Sequence, residues 1–265
     1  MLTAVKNQVK ISFLSVKYAL MREMLNKVTF FTNITFMILN NAAFIIQWIV
    51  LFALKDNIGG YTFKQVVLLW GIAAGTYGVA HFFFKKAFHL SDTINNGKLD
   101  SFLVQPKNVL LSAITTDVET SALGDLIYAY IMLFIYDFSI TSFLLFTLFI
   151  ICGGLIITSI SVIFSSLSFW FNKSDVITDT ANSLMINFAT YPDGIFKGIV
   201  RVFMYTIIPV GIVNYVPVKV LTKFDLGLTF LVLFVTILFI SLAFIMFYRG
   251  LRKYSSSNLM IAKIL

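Results

Sequence analysis

Five stretches of this chain contain no Asp, Glu, Lys or Arg: Val28–Leu54, Gln65–Phe84, Phe138–Asn172, Val202–Val218 and Leu226–Tyr248. At a rise of about 1.5 Å per residue, roughly 20 apolar residues in a helix cross the hydrocarbon core of a bilayer. Runs of this length, rich in Phe, Ile and Leu, lack the in-and-out alternation of a barrel strand, so the spans are expected to be helical. Only 12% of the 265 residues are charged, 59% are hydrophobic and the mean hydropathy is +0.91. Soluble domains carry about 25% charged residues, and a soluble enzyme is thereby excluded. The expected fold class is all-α, a polytopic membrane protein.

Six crossings are read at about 30–54, 65–84, 117–136, 142–168, 176–192 and 227–248. With both termini on one side, 14 Lys and Arg fall on that side and 6 on the other. The positive-inside rule then places both termini in the cytoplasm. The net charge of +8 sits beside the spans, where anionic head groups meet it, and no nucleic-acid partner is expected. Residues 1–27 hold five basic residues and no compact apolar core, so no cleavable signal peptide is expected there. Within 1–29, Ile11, Leu14, Tyr18, Met21 and Leu25 recur at helical spacing beside Lys6, Lys10 and Lys17. That pattern predicts an amphipathic helix along the membrane surface, either a simple anchor or a grip on a partner subunit.

Small residues recur along two of the runs. Gly71, Gly75 and Gly78 share a face with His81, and Gly154, Thr158, Ser161, Ser165 and Ser168 share another. Close helix packing is the favoured reading, and a polar lining for a substrate path the alternative. The segment 193–218 holds Asp193, Gly194, Lys197, Arg201, Pro209, Gly211 and Pro217, too broken for an ordinary span. It is read as an outer re-entrant segment; the rival is that 197–213 crosses alone while 176–190 lies at the cytoplasmic surface.

Asp117, Glu119 and Asp125 open the third expected span, and intramembrane acids call for a reason. Asp117 and Glu119 suit the positive end of a starting helix near the interface. Asp125 lies deeper, a possible intramembrane polar site that would either pair with a base or hydroxyl of a neighbouring helix or couple an ion. The chain has no P-loop, no His-Glu-x-x-His and no Gly-x-Ser-x-Gly, only two histidines, and a single cysteine, Cys152, in an apolar run. No catalytic residue, metal site or bound cofactor is expected.

The loop 85–109 reads as helix, glycine stop, short helix and proline, with Leu99, Phe102 and Leu103 offering an apolar face beside Asp100. Its Gly97-Lys-Leu99-Asp100-Ser-Phe102-Leu103-Val-Gln105-Pro106 resembles the Gly-x-Leu-Asp-x-x-Leu-x-x-Pro loop of the six-span permeases in ABC exporters of the second type. Gly124-Asp125-Leu126, Tyr191-Pro192, Arg201, Ile208-Pro209, Asn214 to Pro217 and Gly250 to Ser256 extend the resemblance over nearly the whole chain. Lys98 departs from it, standing where an acidic residue is expected after the glycine.

The resemblance implies one permease domain over 1–265, with six spans, the amphipathic N-terminal helix and a re-entrant segment before the last span. It also implies pairing with a second permease copy or homologue, two ABC ATPase subunits that alone bind ATP and Mg, and a place in a bacterial plasma membrane. In such exporters the loop between the second and third spans inserts into the ATPase, a role that falls on Gly97, Leu99, Asp100, Phe102 and Pro106 of the coupling loop. The expected cargo is amphipathic or hydrophobic and moves outward. A self-contained carrier or channel using Asp125 is the alternative, and a non-transporting scaffold is a third class.

Overall fold

The computed structural model describes residues 2–171 and 174–255. Ser256, the last residue of the C-terminal motif above, lies outside the described residues. Those described are helical apart from turns and one isolated β-bridge between Ile58 and Tyr61. In chain order the helices are α1 (Leu2–Glu23), α2 (Lys27–Leu54), α3 (Phe63–Phe84), α4 (Leu90–Asn95), α5 (Asp100–Leu103), α6 (Val109–Ile114), α7 (Ala122–Tyr136), α8 (Ile140–Ser165), α9 (Ser174–Ala189), α10 (Ile199–Thr206), α11 (Val216–Thr222) and α12 (Leu226–Leu251).

The long helices begin at polar residues that satisfy their first free N–H groups. The side chains of Asn26, Ser139 and Asp225 accept from the backbone N–H of Thr29, Ser142 and Leu228 at 3.2, 3.0 and 3.0 Å. At the head of α3, Gln65 Oε1 accepts from the Thr62 N–H at 2.9 Å. Each cap therefore sits where a charge-free run begins, and the hydrophobic length of the helix is set from its start.

Four helical stretches are long and apolar enough to cross a membrane: α2, α3 continued to Asn95, α8 continued to Phe169, and α12. Two shorter helices, α7 and α9, have 15 and 16 residues, about 22–24 Å of rise. All six run between two opposite ends of the bundle. One end gathers 85–121, 166–171 and 250–255; the other gathers 55–62, 137–139, 190–198 and 223–225. Helix α9 does not lie flat on a surface: it packs against α8 and α3, with Thr178, Met185 and Ala189 buried.

The third expected span, 117–136, is shorter than its sequence suggested. Its helix starts only at Ala122, because Asp117 and Glu119 stay at the loop end in ion pairs: Asp117 with Arg22 at 2.6 Å and Lys86 at 3.5 Å, Glu119 with Lys85 at 2.9 Å. Between α9 and α12, α10 and the stretch Gly211–Thr222 form a pair bent by 75°. Pro209 has no N–H to continue the ladder, and Gly211 takes the ring of Tyr205 directly against its backbone. Both ends of this pair lie at the same end of the bundle, since Thr222 meets the Tyr136 hydroxyl and Gly194, just before α10, abuts the turn at Gly59.

Helix α3 is the axis, with Val66, Leu68, Leu69, Ile72 and Ala80 at most 2% exposed. Its glycines are the places where backbones approach. A Cβ on Gly71 would stand 2.9 Å from Met132 Cβ, one on Gly75 2.7 Å from Ile150 Cγ2, and one on Gly78 2.8 Å from Leu126 Cγ. Gly154 of α8 returns the contact, 2.6 Å from Val79 Cγ1. Helix α1 packs through Val16 and Ala19 against Phe82, Val118 and Ala122. The stripe expected for α1 is thus divided: Ile11 and Leu14 are half-buried, while Tyr18, Met21 and Leu25 are exposed beside its lysines. The face that meets the bundle is set by small Ala19 rather than by the largest side chains.

Replacing Gly75 by Leu must push α3 from α7 and α8. Overpacking of this kind costs about 1–3 kcal/mol, so Gly75→Leu is expected to lower the melting temperature in detergent by roughly 5 °C, while Ala53→Leu on the exposed side of α2 leaves it unchanged. Equal melting temperatures for the two variants would remove the glycine seam as a source of stability.

Candidate functional site

At the loop end, the segment 85–109 folds into short helices wired to the rest of the bundle. Gly97 has φ +69°, a left-handed geometry that glycine adopts without cost, and it ends α4 with Lys98 N–H returning to Thr93 O at 3.0 Å. Leu99 follows and is completely buried in the core. It is an anchor and takes no part in the outward apolar face expected of it. That face consists of Leu103 and Val104, 42% and 84% exposed, with exposed Pro106 beyond and half-buried Phe102 beneath.

Two tethers hold the loop. Tyr254, just past α12, donates its hydroxyl to Asp100 Oδ1 at 2.9 Å. Burial and the adjacent carboxylate push the Tyr254 pKa up to about 12, so the hydroxyl remains a donor at any physiological pH. On the other side Gln8 of α1 accepts from the Asn108 N–H at 2.9 Å. Nothing in the spacing of Gln8 or Tyr254 announced these contacts, which join positions about 100 and 154 residues apart.

Within the bundle, a cleft of about 400 Å³ lies between α2, α3 and α9 and reaches the start of α7. Its floor is one face of α3, where Trp70, Ala73, Ala74, Tyr77 and His81 recur at helical spacing; α2 supplies Met37, Asn40, Asn41, Phe44, Gln47 and Trp48. Asp125 stands in it, accepting from Asn41 Nδ2 at 2.6 Å. The expected partner was a base or a hydroxyl; the structure supplies a neutral amide. His81 is stacked on Phe88, with centroids 4.0 Å apart. Asn40 and Asn41, an amide pair inside a charge-free run, were the signal that pointed to this cleft and went unread.

The remaining small residues lie elsewhere. Ser161 donates to Asn182 Oδ1 of α9 at 2.9 Å, and Ser165 to Ala87 O at 3.4 Å, so both tie α8 to neighbours rather than line the cleft. At the opposite end Asp193, 4% exposed, accepts from Arg201 and from the Tyr205 hydroxyl, each at 3.0 Å, with Lys219 at 4.0 Å. Gly194 lies so close to Gly59 that no side chain fits between them, which pins the bent pair to the α2–α3 turn. Among the described residues, no group of three or more His, Cys, Asp or Glu is placed to hold a metal ion.

The sequence model of a family described as ABC-2 family transporter protein matches residues 36–258, from the middle of α2 to beyond α12. No curated protein and no solved structure matches the chain.

The Tyr254 tether makes its own prediction. Loss of one partly exposed, charge-assisted hydrogen bond costs about 1 kcal/mol, so Tyr254→Phe is expected to speed amide exchange across 97–103 roughly fivefold and leave the exchange of α3 unchanged. Unaltered exchange in the loop would show that Asp100 is held without Tyr254.

Proposed function

Because the chain belongs to the ABC-2 family of transporter proteins, we propose that it is the membrane-spanning permease subunit of an ATP-driven exporter of amphipathic or hydrophobic substrates. The observation that carries this reading is the loop 85–109, a stiff helical knob with an outward apolar tip and firm attachment to both ends of the chain's fold. A multi-pass protein with no P-loop needs its nucleotide chemistry supplied from outside. Two ABC ATPase subunits holding ATP and Mg fill that role, docked on Leu103, Val104 and Pro106. A second permease copy or a homologue completes the path.

In this reading the loop end faces the cytoplasm of a bacterial cell, consistent with the basic residues Arg22, Lys85, Lys86, Arg249 and Arg252 gathered there. The segment 193–218 is re-entrant from the outer side, entering and leaving beside Asp193. When the ATPases close on ATP, the knob moves as a rigid piece. Leu99 transmits the displacement to the core, Gln8 to α1 and Tyr254 to α12, so the helices rock together rather than the loop bending alone. The permease performs no bond chemistry.

A self-contained carrier would need a deep, titratable pair. Asp125 has an amide for its partner and Glu119 is engaged by Lys85, which favours the exporter.

Affinity purification in mild detergent is expected to recover a P-loop ATPase with this chain. Val104→Glu or Asp100→Lys should cut that recovery at least about fivefold with membrane insertion intact, whereas Leu99→Glu should fail to fold because it buries a charge. Recovery of the chain alone, with transport in vesicles free of ATP, would overturn the exporter reading.

A further inference from the structure

We propose that the cleft between α2, α3 and α9 binds an amphiphile with a single positively charged head on an apolar body, the head meeting Asp125. The proposal names a ligand class for the cleft. It rests on the exporter reading only in calling that ligand a substrate.

Charge comes first. Two carboxylates line the cleft, and Glu119 is already paired with Lys85 at 2.9 Å. Asp125 is held by the neutral amide of Asn41, and among the described residues no lysine or arginine lines the cleft, in a chain that carries 20 of them. A carboxylate held inside a membrane bundle without a cation is costly, and a cationic ligand offsets that cost while an anionic one adds to it. The charge balance of the cleft is therefore selective in sign.

The walls fit the rest of such a molecule. Phe44 and Trp70 stack with centroids 5.2 Å apart, and Trp48 stands one helical turn beyond Phe44. Ala73 and Ala74 keep the floor between Trp70 and Tyr77 open. Aromatic faces attract cations as well as apolar groups, and a volume of about 400 Å³ suits a ligand of a few rings. Trp70 Nε1 and the Tyr77 hydroxyl are buried away from the cleft, with no hydrogen-bond partner among the described residues, so these two side chains meet a ligand with apolar surface. Access is lateral: Asn40, Phe44 and Gln47 are exposed on α2, and two exposed amides deep within a charge-free run belong beside a path rather than against lipid tails.

Tetraphenylphosphonium and tetraphenylborate share a shape and differ in the sign of their charge, which makes them the deciding probes. The chain has three tryptophans, and Trp170→Phe leaves Trp48 and Trp70 as reporters within the cleft. In nanodiscs, with empty discs subtracted, tetraphenylphosphonium is expected to quench their fluorescence saturably and tetraphenylborate to do so only with at least about tenfold weaker affinity. Asp125→Asn should weaken phosphonium binding about tenfold and abolish the preference, while Asp125→Glu, which keeps the charge, should stay within about threefold of the parent. Equal saturable quenching by both ions, no saturation by the phosphonium, or an unchanged affinity in a folded Asp125→Asn protein would each overturn the proposal. The preference in the parent protein is informative even if Asp125→Asn does not fold. ATPase recovery with the Asp125 variants reports on the exporter reading separately, since these substitutions lie away from the docking tip.

Discussion

Inside a bilayer, helices gain little from hiding apolar surface from one another, because lipid tails are as apolar as leucine. What holds this bundle together is how closely backbones can approach, and that is decided on α3. Gly71, Gly75 and Gly78 let Met132, Ile150 and Leu126 come to distances that any side chain on those glycines would forbid. Helices α7 and α8 are positioned by these contacts, and α8 in turn carries α9 through Ser161 and Asn182 and α12 through direct packing. Loosening the seam on α3 therefore disturbs every element that reaches either end.

The same medium sorts the charges. Asp117 and Glu119 could have been drawn into the third helix; they end it instead, because Arg22, Lys86 and Lys85 hold them at the end where all five meet. Asp193 does the equivalent work at the other end, a buried carboxylate that gathers Arg201, Tyr205 and Lys219 around the bent pair. Breaking one partner of the Asp193 cluster leaves a buried carboxylate less compensated, a cost that holds the bent pair in place. Asp125 differs from these three, with an amide where Asp117, Glu119 and Asp193 have cations.

How much of this was legible in the sequence follows from the range of each interaction. Charge-free runs and their capping residues are local, so the all-helical membrane architecture could be read directly, as could the stop at Gly97, where a left-handed turn is a property of one residue. The spacing of Gly71, Gly75 and Gly78 announces a face of a helix but not which helices it meets. Long-range pairings left no trace in spacing: the shortened start of α7 depends on Arg22, almost a hundred residues earlier, and the burial of Leu99 depends on the core that closes over it. The inward face of helix α1 was not legible for a related reason. A helix between lipid and protein has two apolar faces, and hydrophobic spacing cannot say that the one with Val16 and Ala19 turns inward.

Loop and cleft are joined by continuity of α3, and this ties the two halves of the proposed mechanism. The helix that floors the cleft with Trp70 and Tyr77 runs into the 85–109 knob at Lys85, with the stacked pair His81 and Phe88 at the junction. In the proposed mechanism a helix packed this tightly moves as a rod, so that a push on the knob would displace the cleft floor relative to α2, which touches α3 far less closely than α7 does. Both walls of the cleft, α2 and α9, are thus packed less closely on its floor than α7 is on the other side of α3. In that mechanism a cavity opened or narrowed along the seam would change its fit to a ligand while the glycine contacts on the other side of α3 stay closed, and one rigid helix would serve as lever and as binding surface.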